Sequence, residues 1–439
     1  MGYILYRIET YGIKNISNLV VFDFASNTVA KGNNKKLSNV KAIYGTNGTG
    51  KSAFINSVEI YKELNLDPNY LKQNENIRKI NKIINKNKRE FYFSIIYGVK
   101  DGKKVNVYKH QIEIKMKNDI PYISKEILSV LKDKTINGVY QDIYKAIDGN
   151  LELYINEYRG INALIYDKTK NILLGSTLSS LCFSHILAPV VYDIIMDNKI
   201  NVITEIKSKL LIAILTNNHF TSEITLFLDE RDIHNERDLL DIKEYEYNMK
   251  NRINVNEDIV SKNRIEEYRK SVKKLYKFIK VFKEDLIDIK IEEREDERNF
   301  YCTKKMIYKD YEIDSDYESN GIQKMMKIFS LIEDVTKGKI VFIDELDNNI
   351  NGVYLNKIID YLNGLGKGYL CFTCHNLFPM KCLYKYTNSI DFIGETGKVV
   401  SWKKNGNYRP YEKYPEGMII DSPFNIESFD FISVFESEV

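Results

Sequence analysis

The octapeptide Gly45-Thr46-Asn47-Gly48-Thr49-Gly50-Lys51-Ser52 constrains the fold of this chain more than any other part of it. It matches the spacing G-x-x-x-x-G-K-[ST] with nothing missing. The flanks fit as well. Asn39–Tyr44 reads as a strand entering the loop, and Ala53–Tyr61 carries apolar residues at helical spacing leading out of it. Glycines let a backbone turn tightly and aim its N–H groups at an anion. The start of the next helix adds a favourable dipole. The expectation is a phosphate cradle built by residues 45–50. Lys51 would reach the β- and γ-phosphates of a nucleotide, and Ser52 would ligate magnesium. The competing reading is a chance glycine-rich turn, and the flanking strand and helix argue against it.

A second signal lies far downstream. Lys339-Ile-Val-Phe-Ile-Asp344-Glu345-Leu-Asp347 is four consecutive apolar residues followed by carboxylates. This is the pattern of a buried parallel strand with acids at its C-terminal edge, where α/β folds place ligands. Asp344 is expected to hold magnesium directly or through water, and Glu345 to polarise an attacking water. Alone, the run would be an ordinary strand end with solvated acids. A third segment, Tyr369–Cys374, reads as another buried strand and ends at His375, one of five histidines. Its place after the acidic pair points it toward the γ-phosphate. A fourth, Glu318-Ser319-Asn320-Gly321, precedes a helix expected over Met325–Val335. Ser and Gly at a helix start form a second anion site, or simply an N-cap turn.

Composition bounds the setting. The chain has 439 residues, 44% of them apolar, and a net charge of +3. That is a folded protein, and so mild a charge does not by itself call for nucleic acid. The first residues lack the basic segment and apolar core of a signal peptide. No run approaches the length of a membrane span. Five cysteines form no disulfide framework, so a reduced, cytoplasmic protein is expected. Cys371 and Cys374 form a C-x-x-C without a second ligand pair, a poor metal site.

Along the chain, Tyr3–Ile8 and Leu19–Phe24 alternate as a β-hairpin or meander. Residues 66–90 look like a polar surface connection. Arg89–Tyr97 and Lys104–Lys115 form a second antiparallel piece. From about 126 to 300 the character turns helical, with Glu257–Glu292 a long charged stretch whose apolar residues recur every three or four positions. After residue 300 the order strand, polar loop, helix, strand, helix, strand implies a parallel sheet with crossover helices. The expected division is 1–128, the first part of a nucleotide-binding head; 129–299, an inserted helical region; 300–395, the second part of the head; and 396–439, a strand and an aromatic docking tail.

Together these segments resemble the ATP-binding-cassette ATPases, in the branch shared by the coiled-coil break-repair ATPases, SMC proteins, RecF and the OLD-like bacterial ATPases. The resemblance covers roughly residues 1–128 and 300–395. It implies an α/β P-loop NTPase head with an N-terminal antiparallel β subdomain and an inserted α-helical region. It also implies ATP and Mg2+ as ligands and a homodimer or higher even oligomer. Glu318, Ser319, Asn320 and Gly321 match the family's signature loop, which closes over the γ-phosphate held by a second subunit. Asp347 falls at the loop that crosses the dimer interface, and His375 at the switch histidine. The family's Q-loop glutamine has no persuasive counterpart among Gln73, Gln111 and Gln141.

Spacing discriminates further. Lys51 and Asp344 lie too far apart for AAA+ or RecA-like enzymes. The loop Glu-Ser-Asn-Gly is not the LSGGQ of transporters. The middle is too short for the coiled coils of break-repair and SMC ATPases. The nearest resemblance is to the compact OLD-like ATPases, carried by Arg89–Tyr97 and by Ile120–Leu128 with Glu126. OLD proteins end in a Toprim nuclease, yet the residues after His375 lack its acidic cluster. An effector, if present, would be a separate nuclease-like protein, as in two-gene defence systems such as PARIS and Septu. The expected role is an ATP-driven switch in anti-phage defence, and the alternative is a RecF-like or break-repair-like ATPase that binds DNA. Glu345 disfavours a third role, a scaffold that holds ATP without hydrolysing it.

Overall fold

The computed structural model describes residues 2–29, 38–102, 104–153, 169, 172–181, 184–185, 204–228, 253–394, 397–403, 409–416 and 419. Strands β1 (Gly2–Tyr11) and β2 (Val20–Asp23) pair antiparallel, as their alternation predicts. Strand β3 (Val40–Tyr44) enters the glycine loop and helix α1 (Lys51–Leu66) leaves it. Residues 66–90 are not merely a connection, because α2 (Asn74–Ile83) forms there. Its apolar stripe is only Ile77, Ile80 and Ile83 in a polar stretch, which hides the period. Strands β4 (Glu90–Asp101), β5 (Lys104–Lys117), β6 (Ile120–Leu131), β7 (Tyr140–Ile147) and β8 (Asn150–Leu153) follow. They complete an antiparallel sheet in the order β2-β1-β4-β5-β6-β7-β8.

Next come α3 (Leu178–Leu181), α4 (Thr204–Ser222) and β9 (Ile224–Phe227). A small antiparallel lobe is built from β10 (Glu257–Ser261), α5 (Ile265–Lys280), β11 (Asp288–Glu295), β12 (Asn299–Ile307) and β13 (Glu312–Asp314). The described part of 129–299 is therefore mixed rather than uniformly helical. Strands β7 and β8 extend the first sheet, β9 joins the parallel sheet, and α5 fills only the middle of Glu257–Glu292. Its flanks alternate, with Ile289 and Ile291 facing one way on β11, and alternation of that kind is a strand period.

The remaining elements arrive in the expected order. They are α6 (Asn320–Lys337), β14 (Ile340–Ile343), α7 (Gly352–Leu365), β15 (Tyr369–Thr373), α8 (Phe378–Leu383), β16 (Ile390–Ile393), β17 (Val399–Ser401) and α9 (Pro410–Lys413). The tail segment Ser422–Phe431 lies outside the described residues. A second sheet has the order β17-β16-β3-β15-β14-β9, parallel except for β17.

This sheet is buried on both faces, which is why its strands are continuous apolar runs. Val40, Ala42, Tyr44, Val341, Ile343, Leu370 and Phe372 pack toward α6, α7 and α8. Ile43, Phe342, Cys371 and Ile393 pack toward α1 and the antiparallel sheet. Phe54 of α1 stands edge-on to Phe342 of β14 at 6.2 Å between centroids. Burying such side chains is worth about 1.5–3 kcal/mol each, and this contact fixes the helix after the glycine loop against the acid-bearing strand. A buried polar network ties α1 and α3 to the antiparallel sheet. Tyr61 of α1 bonds His110 Nδ1 at 3.0 Å, and His110 Nε2 lies 3.2 Å from Glu126 Oε1. Glu126 also accepts from the Tyr144 hydroxyl at 2.6 Å and from the Leu178 N–H at 2.8 Å.

Candidate nucleotide-binding and hydrolytic site

The strand order decides what can meet. Because β15 lies between β3 and β14, its end emerges between the glycine loop and the acid pair. All three strands point the same way, so their C-terminal edges converge.

The loop is shaped by contact as well as by glycine. A side chain at Gly45 would strike Ile393 O and Thr49 Oγ1, each at 2.5 Å. Gly48 and Gly50 have φ of 84° and 113°, in the left-handed region. The Thr49 hydroxyl donates to Thr46 O at 2.9 Å. Helix α1 starts at Lys51 with no side-chain cap and no acid in its first turn, which leaves its first N–H groups for an anion. The buried Thr46 hydroxyl has no hydrogen-bond partner. Lys51 is itself buried, and its ammonium donates to Gly45 O at 2.8 Å and Thr46 O at 2.9 Å. Burial pulls its pKa below the ordinary value, against the opposing fields of Asp344, Glu345 and Asp347. A buried cation at the uncapped start of a helix fits a phosphate.

Two neighbours of the loop escaped the sequence reading. The Asn15 amide donates to Gly48 O, and a methyl on Gly50 would sit 2.7 Å from Ile16 Cγ1. Both come from the β1–β2 connection, where no spacing rule points to the loop.

Asp344 is buried at the end of β14, and its carboxylate accepts from the Thr373 hydroxyl at 2.5 Å. The chain turns sharply at the next residue, Glu345, whose φ is 48°. Asp347 binds the backbone of the strand end beside it, accepting from His375 N at 3.0 Å and Asn376 N at 2.7 Å. As placed, the Asp347 carboxylate braces the histidine loop of its own chain. Burial and then the Lys51 charge push the His375 pKa down, while Asp347 and Asp344 oppose. The ring is thereby held neutral near neutral pH. No cluster of three or more His, Cys, Asp or Glu able to hold a metal occurs among the described residues. Magnesium takes one or two protein oxygens and completes its shell with phosphates and water, and Asp344 and Ser52 are the oxygens that would hold it here. Cys371 and Cys374 are buried thiols whose pKa values burial pushes up.

The loop Glu318–Gly321 leads into α6 with Ser319 at the N-cap. Both oxygens of Glu318 are engaged locally, by the Tyr308 hydroxyl and by Ser319 N–H. A methyl on Gly321 would lie 3.0 Å from Asn349 O, so the loop abuts the turn after the acids. Among the described residues no hydrogen bond or ion pair joins it to residues 45–52. The glutamine question stays as the sequence left it. Gln73 bonds Asp67 and Asn76, and Gln111 bonds the Tyr92 hydroxyl, with neither bonded to the glycine loop or the acids.

The fold is mixed α/β, with the strand, glycine loop and helix at the C-terminal edge of a parallel sheet beside an antiparallel one. No family model matches the chain, and no curated protein matches it. Solved structures do. A crystal structure of the Smc head bound to the C-winged helix domain of ScpA matches with a TM-score of 0.44 at 13% identity, covering 90% of this chain and 97% of that one. An Smc head domain with an extended coiled coil, bound to the C-terminal domain of ScpA derived from Pyrococcus furiosus, gives 0.39 at 13% identity over 91% and 96%. The recombination mediator protein RecF with ATP gives 0.32 at 15% identity over 91% and 99%. Among the described residues no helix is long and apolar enough to cross a membrane.

Proposed function

We propose that this protein binds ATP with magnesium and hydrolyses it between two copies of the chain. One observation carries the reading. Lys51, Asp344, Glu345, Asp347 and His375 share one electrostatic neighbourhood, while Glu318–Gly321, a second anion-suited helix start, makes no bond to the glycine loop. A second copy would supply that loop. Bound ATP supplies the phosphoanhydride and, with its metal, the charge that the loop and Lys51 neutralise. Asp344 and Ser52 would hold the metal. Glu345 orients water and takes its proton, and neutral His375 offers a hydrogen bond at the γ-phosphate position.

The test is hydrolysis by purified protein, with mass measured in solution with and without ATP and magnesium. Glu345→Gln is expected to keep ATP, to lose about 10²–10⁴-fold in rate and to accumulate as a dimer. Lys51→Ala is expected to lose ATP. Wild-type-like hydrolysis by Glu345→Gln would remove Glu345 from the role of base.

Closure and opening around ATP would then drive a separate effector, a role supported only by the sequence resemblance to OLD-like defence ATPases. A DNA-binding role has an observation of its own. Backbone bonds such as Lys14 N to Ile83 O draw the 12–16 turn to the end of α2, and the β5–β6 turn joins them through Asn81 and Asp119. Lys14, Lys82, Lys88 and Lys117 are exposed on these segments. Duplex DNA that stimulates hydrolysis, with binding that falls steeply as salt rises, would favour this role. A partner that copurifies, with no DNA effect, would favour the effector role.

A further inference from the structure

The acid pair is held by a side chain outside its own strand. Thr373, fully buried, is the last residue of β15. Its hydroxyl donates to Asp344 Oδ1 at 2.5 Å and accepts from the Glu345 N–H at 2.7 Å. The direction is fixed by chemistry, because a backbone N–H can only donate and a hydroxyl has one proton to give. The Thr373 carbonyl then accepts from Leu346 N at 3.2 Å. One residue therefore pins three consecutive residues of the neighbouring loop. The middle one, Glu345, has the left-handed φ of 48° that L side chains avoid. Its N–H faces β15, where the threonine hydroxyl accepts from it.

We infer that Thr373 is a positioning residue for the hydrolysis proposed above, and the inference rests on that reading. Its hydroxyl fixes the Asp344 carboxylate by occupying Oδ1, so that Oδ2 is the oxygen that would serve a metal. Through the same hydroxyl oxygen Thr373 locks the backbone from which Glu345 projects. A valine has nearly the same shape but can do neither. Serine keeps both hydrogen bonds, and cysteine keeps a weak donor and a weak acceptor.

The experiment compares wild type with T373S, T373C and T373V. It measures kcat, KM, the magnesium concentration for half-maximal rate, ATP affinity in EDTA, and Mn2+ binding to the ATP complex by electron paramagnetic resonance. Loss of a group that orients a metal ligand lowers metal affinity or activity about 10- to 100-fold. T373V should show that loss in kcat and in Mn2+ affinity, with ATP affinity in EDTA unchanged. T373S should stay near wild type and T373C should fall between. A flat series, or T373S as impaired as T373V, overturns the inference, since packing alone would explain the latter. If T373V does not fold, the T373S and T373C pair gives the same ordering test. A wild type that neither binds nor hydrolyses ATP would overturn the ATPase reading itself, and this inference with it.

Discussion

Lys41 and Asp391 form an ion pair inside the parallel sheet, under the glycine loop. The ammonium lies 2.6 Å from Asp391 Oδ2, with 3% and 0% of the two side chains exposed. At an effective dielectric near 20, charges that close attract by roughly 6 kcal/mol. Taking both from water costs several kcal/mol each, so the intact pair is close to neutral. Breaking it is different. Lys41→Met keeps the stem packed beside Phe24, whose ring centre the ammonium faces at 5.4 Å, but strands a buried carboxylate. The expected loss is about 3–5 kcal/mol. Burial already raises the Asp391 pKa above its ordinary 3.8, with Lys41 opposing. A raised acid binds its proton more tightly in the folded chain, so stability falls as pH rises from 3.8 through the folded value. Without Lys41 the folded value rises further, and the loss should be larger at pH 8 than at pH 5. The assay is urea unfolding followed by the fluorescence of Trp402, the single tryptophan. Its backbone N–H bonds Ile390 O at 2.8 Å, next to Asp391. Adding Asp391→Leu should recover most of the loss. A Lys41→Met loss below about 1 kcal/mol, or one equal at both pH values, would refute a stranded buried charge.

Three further outcomes are expected. Gly50→Ala combines a φ of 113° with a 2.7 Å approach to Ile16, a strain of about 1–3 kcal/mol, and should abolish ATP binding in a nucleotide titration. Because the His375 pKa lies below 6.5, hydrolysis should hold its rate from pH 8 down to that value and decline only below it; an acid limb centred above 6.5 would contradict a neutral imidazole. Glu126→Ala strips partners from His110, Tyr144 and the Leu178 N–H. It should cost about 1–3 kcal/mol for each buried group left unpaired, read in the same urea titration, and a loss within 0.5 kcal/mol (about the effect of a surface change) would mean that water replaces the carboxylate.

The parts of the site legible in the sequence were those in which chemistry demands particular residues in a row. Gly45–Ser52 is one such run, and Ile340–Glu345 is another. Strand ends close to His375 followed from short apolar runs, and the head's element order after residue 300 followed from alternating periods. Thr373 was not legible, because its importance comes from standing beside Asp344 across a strand register that no local pattern reveals. Asn15 and Ile16 reach the glycine loop only after β1 and β2 have paired. The described strands of 129–299 evade a periodic reading for a different reason. They carry many Lys, Glu and Asp on the solvent side, as on β11, and charge-rich sequence with scattered isoleucines satisfies a helical period almost as well as a strand period.

The Lys41–Asp391 pair spans 350 positions of chain, and both sheet neighbours of β3 belong to the last part of the head. At a synthesis rate of roughly 5–20 residues per second, the closing partner leaves the ribosome about 20–70 s after the strand it must meet. The antiparallel sheet, joined largely through neighbours in sequence, can assemble in that interval. Val40, Ala42 and Tyr44 have no sheet beside them until β15 and β16 arrive. Nascent chains of this protein therefore carry an apolar strand in search of a partner, and the glycine loop lacks its neighbour Ile393, whose carbonyl abuts Gly45, until that strand's partners have been made.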